Sequence, residues 1–178
     1  MPKSFSHKLT LAGAGQPTHQ TCWLASYKMI MAAANKSSYP IEGRLRAAGI
    51  DFDDYYKNGM PDTAYTKAAG ALGLQHWPGS TFNAKPGFFD VGLTDGTEAF
   101  LEILQVGPCW VSKFGDNNYH IIVATGYDDK AERISFANPY PGPTNAVEDS
   151  MNANLFTKFI TRAGGSVQQW RYRIGEDD

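Results

Sequence analysis

The sequence predicts an α+β fold, in which a mainly helical first half leads into a mainly antiparallel second half. Three observations carry this reading. Residues 22–35 are apolar at helical spacing and hold a single charge, Lys28. Residues 119–127, Tyr-His-Ile-Ile-Val-Ala-Thr-Gly-Tyr, form a β-branched run of strand type. A short turn, Asp128-Asp-Lys-Ala, joins that run to a second one at 132–137, so the two are expected to pair as a hairpin. With 178 residues, 42% of them hydrophobic and 19% charged, the chain is expected to be one domain over 1–178.

The elements follow in order. A strand is expected at His7 to Leu11, before the Gly13–Gly15 turn, and Pro17 forbids a regular helix through the approach that follows. Thr21 is the expected N-cap of the helix starting at Cys22. Trp23, Tyr27, Ile30, Met31 and Ala34 mark one apolar face, and Ala25, Ala32 and Ala33 make the other hardly polar, so this helix should be central and buried. Shorter helices are expected at Pro40–Ala48, closed by Gly49, and at Thr63–Leu72, capped by Asp62 and closed by Gly73. Asp51–Gly59 reads as a polar and aromatic connection with about one helical turn. Leu74–Trp77 reads as a strand, 78–96 as loop, and Thr97–Val106 as a helix capped by Thr97 and stopped at Gly107-Pro108. Cys109–Phe114 is a short apolar strand, and Gly115-Asp-Asn-Asn is turn chemistry. After the hairpin, Pro139-Tyr-Pro-Gly-Pro breaks the chain. A helix at Leu155–Thr161 and a strand at Val167–Ile174 complete it.

Composition excludes several classes of function. A net charge of −2 gives no electrostatic case for nucleic acid or an anionic membrane as the main partner. No stretch approaches the ~18 apolar residues of a membrane span. The N-terminus has no apolar signal region, so a soluble chain made in the cytoplasm is expected, with export by a route that reads no N-terminal signal left open. Two cysteines, Cys22 and Cys109, are no disulfide framework, although the sequence leaves a single bridge between them open. His19 and Cys22 make a His-x-x-Cys pair, but no Cys-x-x-Cys or His-Glu-x-x-His accompanies it, so neither a metal nor a cofactor is expected.

Cys22 stands where unpaired N–H groups and the positive end of a helix dipole both favour a thiolate. A nucleophile there needs a base, an orienting group and oxyanion donors. His120 opens the strongest strand and is the candidate base. Asn138 lies just past the partner strand, and antiparallel pairing brings it to the same end of the sheet as His120. Asp116 and Asp128 are alternatives for that orienting role, Asp128 disfavoured because it lies at the far end of the hairpin. Gln16, six residues before Cys22, is the candidate oxyanion donor beside the Cys22 N–H, with Gln20 the nearer alternative in sequence. Trp23 and Tyr119, next to the nucleophile and the base, are candidate walls of a substrate groove. Cys109 and His76 read as structural.

Gln-x5-Cys-Trp at a helix start, a histidine strand ending in Gly-Tyr-Asp, and Asn-Pro-Tyr-Pro-Gly after the next strand together resemble the papain-like cysteine peptidases. Cys-Trp-Leu-Ala-Ser and Asn-Pro-Tyr-Pro-Gly are similar to the compact bacterial branch with AvrRpt2-like and C39-like members. The match runs from Gln16 to Gly142 in three separated motifs and leaves residues 40–105 without a family signature. It departs from the papain run Cys-Gly-Ser-Cys-Trp, having Thr-His-Gln-Thr before Cys22, and it has Asn138 where the compact branch more often has Asp. The resemblance implies a papain-like fold, its helical part carrying a central catalytic helix packed on a C-terminal sheet. It further implies a Cys22–His120–Asn138 triad with Gln16 in the oxyanion hole, and amide or peptide-bond hydrolysis through an acyl-enzyme. Deamidation, transpeptidation and non-catalytic peptide binding use the same framework. A protein or peptide substrate is implied. So are the role of a bacterial effector or toxin exported by a specialised system and, with it, a cognate immunity protein.

Overall fold

The computed structural model describes residues 2–83, 92–112, 120–140 and 144–171. The elements are β1 (Phe5–Ser6), α1 (Cys22–Ala33), α2 (Ile41–Ala47), α3 (Phe52–Asn58), α4 (Tyr65–Ala71), β2 (Gln75–Pro78), α5 (Asp95–Val106), β3 (Cys109–Ser112), β4 (Ile121–Asp128), β5 (Arg133–Asn138), β6 (Val147–Asn152), α6 (Ala153–Ile160) and β7 (Ser166–Gln169). Among the described residues the strands form one antiparallel sheet in the order β2-β7-β3-β4-β5-β6, with β1 paired to β4. The architecture is α+β.

Side-chain alternation along the sheet sorts the core into two layers. Trp110, Ile121 and Val123 face α1 and the helices that follow it. Cys109, Val111, Ile122 and Ala124 face α5 and α6 on the other side. Burial on both faces explains why β4 is a nearly unbroken apolar run. α1 packs between the helical part and the sheet with nine buried residues, as its two apolar faces dictate. Three bonds fix it there. Trp110 Nε1 donates to the Trp23 carbonyl (3.1 Å), Tyr27 Oη to Gln168 Oε1 (2.8 Å), and Ser26 Oγ to the Ile121 carbonyl (3.4 Å). Tyr27 also stacks on Trp110 with ring centroids 5.1 Å apart.

The hairpin of β4 and β5 forms, with Val123 opposite Ala137 and Asp128 opposite Arg133. Its ladder shifts register between Ala124 and Gly126. Gly126 is needed there, because a Cβ on it would lie 2.5 Å from the Phe5 carbonyl of β1.

Several boundaries differ from expectation. The first strand is Phe5–Ser6 rather than His7–Leu11. α3 runs for seven residues where one turn was expected, because the Asp51 carboxylate accepts from the Asp54 N–H and starts a regular helix. A short 3₁₀ turn, Asp62–Ala64, precedes α4. α5 begins earlier, capped by Thr94, whose hydroxyl accepts from the Thr97 N–H. Thr21 occupies the N-cap of α1 without a capping bond, its hydroxyl instead donating to the Thr18 carbonyl and accepting from the Thr18 N–H. β6, Val147–Asn152, is an unexpected strand on β5. The turn at 115–118 and the region after residue 171 lie outside the described residues. Both cysteines are free thiols in separate core layers.

Candidate active site

A cleft of about 880 Å³ opens where the start of α1 meets the end of the hairpin. Gln16, Cys22, His120 and Asn138 all line it. The long-range pairing of β4 with β5 does what the sequence geometry requires, and the His120 imidazole meets the Asn138 amide with Nε2 2.7 Å from Oδ1. The Tyr140 N–H also donates to Asn138 Oδ1, at 3.0 Å. An oxygen already accepting from a backbone N–H is a carbonyl oxygen, so His120 Nε2 must be the donor in its bond to it. The neutral ring then carries its proton on Nε2 and its lone pair on Nδ1. Asp128 sits at the opposite end of the hairpin, where its carboxylate accepts from the Lys130 and Ala131 N–H groups of the turn. Asp116 and Tyr119 lie outside the described residues.

Cys22 is 6% exposed, in the first turn of α1. Burial pushes its thiol above the ordinary value, while the Ile121, Trp23 and Cys22 backbone N–H groups pull in the opposite direction. Burial likewise holds the His120 imidazole below its ordinary value against the upward pull of Asn138. Burial thus works against the charged form of both groups. At Cys22 desolvation opposes the charge that the helix start and the nearby N–H groups favour.

Gln16 is 4% exposed. One hydrogen of its Nε2 is spent on the Thr18 carbonyl (2.8 Å), which fixes the head and leaves the second for another acceptor. Its own N–H donates to the Pro139 carbonyl (3.0 Å), so the segment before α1 is tied directly to the residue after Asn138. Gln20 also lines the cleft.

Trp23 has no exposed surface, although it borders the cleft. Its ring packs edge-on against Phe52 and Tyr27, and its Nε1–H donates to the Tyr55 carbonyl (3.2 Å). Trp23 thus borders the cleft from within the core, its indole held by these ring contacts and by the Tyr55 carbonyl. The opposing wall comes from a stretch that sequence reasoning passed over, Asn58 to Asp62 at the end of α3. Gly59, at φ +89°, turns the chain into the cleft there, and Gly59 followed by Met60-Pro61 was the available signal. His19 and Tyr140 complete the rim from either side, their rings 5.6 Å apart.

Among the described residues no group of three or more His, Cys, Asp or Glu side chains is arranged to hold a metal ion. Among those residues no helix is long and apolar enough to cross a membrane. In comparison with known proteins, a family model described as papain-like cysteine protease AvrRpt2 matches residues 5–158. No curated protein matches the chain.

Proposed function

The chain belongs to the papain-like cysteine protease AvrRpt2 family and is a cysteine protease, and we propose that Cys22, His120 and Asn138 are its catalytic residues, with Gln16 as oxyanion donor. The observation that supports this most is the 2.7 Å bond between His120 and Asn138 at the edge of the cleft that Cys22 and Gln16 also line.

In this reading His120 Nδ1 takes the thiol proton as Cys22 Sγ attacks the substrate carbonyl carbon. The oxyanion that forms is met by the free amide hydrogen of Gln16 and the Cys22 N–H. His120 then delivers the proton to the leaving amine, the C–N bond breaks, and a thioester remains. Water, deprotonated by the same Nδ1, releases the carboxylate and restores the thiol. Asn138 keeps the ring in one tautomer throughout. It also stabilises the transient imidazolium, which the buried site would otherwise disfavour.

New protein N-termini, counted by mass spectrometry after the enzyme is added to a cell lysate, test the reading. The wild type should generate them, and Cys22→Ala should lose at least ~10³-fold of that activity. Persistence of new N-termini in Cys22→Ala would refute the covalent mechanism. Conversion of glutamine to glutamate without new N-termini would make the reaction a deamidation. Family membership further supports the role of a bacterial effector or toxin delivered to a target cell, with a cognate immunity protein as partner. Toxicity on expression in target cells, lost in Cys22→Ala, is the expected result.

A further inference from the structure

We infer that Ser26 is a positioning residue for the reaction, holding the nucleophile helix in register with the histidine strand through the backbone of Ile121. The inference rests on the assignment of Cys22 and His120 proposed above.

Ile121 directly follows His120. Its carbonyl accepts from the Ser26 hydroxyl of α1 at 3.4 Å, and its side chain packs in the same core layer as Cys22. Cys22 and Ser26 are one helical turn apart and therefore share a face. One turn from Cys22, the helix is thus bonded to the backbone of the residue beside His120.

The identity of residue 26 is unexplained by packing. It has no exposed surface in an otherwise apolar helix, where alanine would fill the site and favour the helix more. A serine inside a helix ordinarily returns its hydroxyl to the carbonyl four residues back. Here it reaches across to β4 instead. The other two anchors of α1 do not touch the histidine strand, since Trp110 lies on β3 and Gln168 on β7. They secure the helix against the sheet, whereas Ser26 addresses the residue beside His120.

Alkylation of Cys22 by iodoacetamide at neutral pH, followed by mass spectrometry, reads the site without a substrate. Ser26→Ala should slow it roughly tenfold with the melting temperature almost unchanged, because α1 keeps its other anchors. Ser26→Thr, which retains the hydroxyl, should come within about threefold of the wild type. Tyr27→Phe, on the same helix but bonded to β7, should lower the melting temperature and leave the rate alone. An Ser26→Ala rate within about twofold of wild type overturns the inference. So does an Ser26→Thr variant as slow as Ser26→Ala, or a Tyr27→Phe variant slowed as much. Failure of the catalytic assignment looks different, with wild-type Cys22 alkylating no faster than the buried Cys109 and Cys22→Ala still releasing new N-termini from a lysate.

Discussion

Replacing Asn138 by alanine is expected to slow the reaction and, at the same time, to move its acid limb to lower pH. The Asn138 Oδ1 atom accepts from His120 Nε2 at 2.7 Å and from the Tyr140 N–H at 3.0 Å. Only the first of these reaches the imidazole, and a bond to the ring as it becomes cationic is worth about 2 kcal/mol, which the variant loses. If all of it appears in the barrier, the rate falls roughly thirtyfold. The pH effect follows from the two opposed influences on His120. Burial lowers its affinity for a proton and the Asn138 bond raises it, so deleting the bond leaves burial unopposed. The ring of the variant stays neutral, and so competent as a base, to a lower pH than in the wild type. The rate of Cys22 alkylation between about pH 4 and 8 measures both effects, and an NMR titration of the ring checks the second. A rate within about threefold of wild type, or an acid limb that moves upward, would refute the argument.

Gln16→Ala should cost roughly 10²-fold in kcat with little change in KM, because its amide hydrogen is needed only where the oxyanion forms; steady-state kinetics on a cleaved peptide decide this. Tyr27→Phe leaves the buried Gln168 Oε1 without the Tyr27 donor and should lower unfolding free energy by about 1–3 kcal/mol in denaturant titration. Gly165→Ala would drive a Cβ into the Ile160 backbone and should cost upward of ~3 kcal/mol, whereas Gly43→Ala, in α2 with only Pro40 Cβ at 3.9 Å, should be neutral or stabilising by up to ~1 kcal/mol; melting temperatures separate the two. Stability should also decline on acidification. His120 binds protons less readily folded than unfolded, so the loss begins as pH falls through the ordinary histidine value of about 6.5 and continues down to the lower folded value.

Much of the site was legible in the sequence because its logic is topological. Two strands joined by a short turn must bring His120 and Asn138 to one end, whatever the rest of the chain does. The boundaries of α1 were equally plain, since an apolar helix without interior breakers ends where Asn35 takes a positive φ. What escaped detection lacked its own pattern. β6 reads Val-Glu-Asp-Ser-Met-Asn, a largely exposed edge strand whose pairing with β5 supplies the order that hydrophobic alternation does not. The far wall of the cleft is a turn placed by its neighbours, with the Tyr55 carbonyl held by Trp23 and the chain redirected at Gly59. The burial that opposes the helix start at Cys22 also left no mark, because a helix start is visible in one dimension and desolvation is not.

The position of β7 bears on how the protein is made. The sheet runs β2-β7-β3-β4, so the strand Ser166–Gln169 is inserted between two strands that precede it in the chain. Gln168 of that strand also holds α1 through Tyr27. During synthesis the cysteine emerges early, its histidine roughly a hundred residues later, and the strand that closes the sheet later still. At the ribosome, then, the sheet that carries His120 and Asn138 cannot close around β3 until the chain through Gln169 is available.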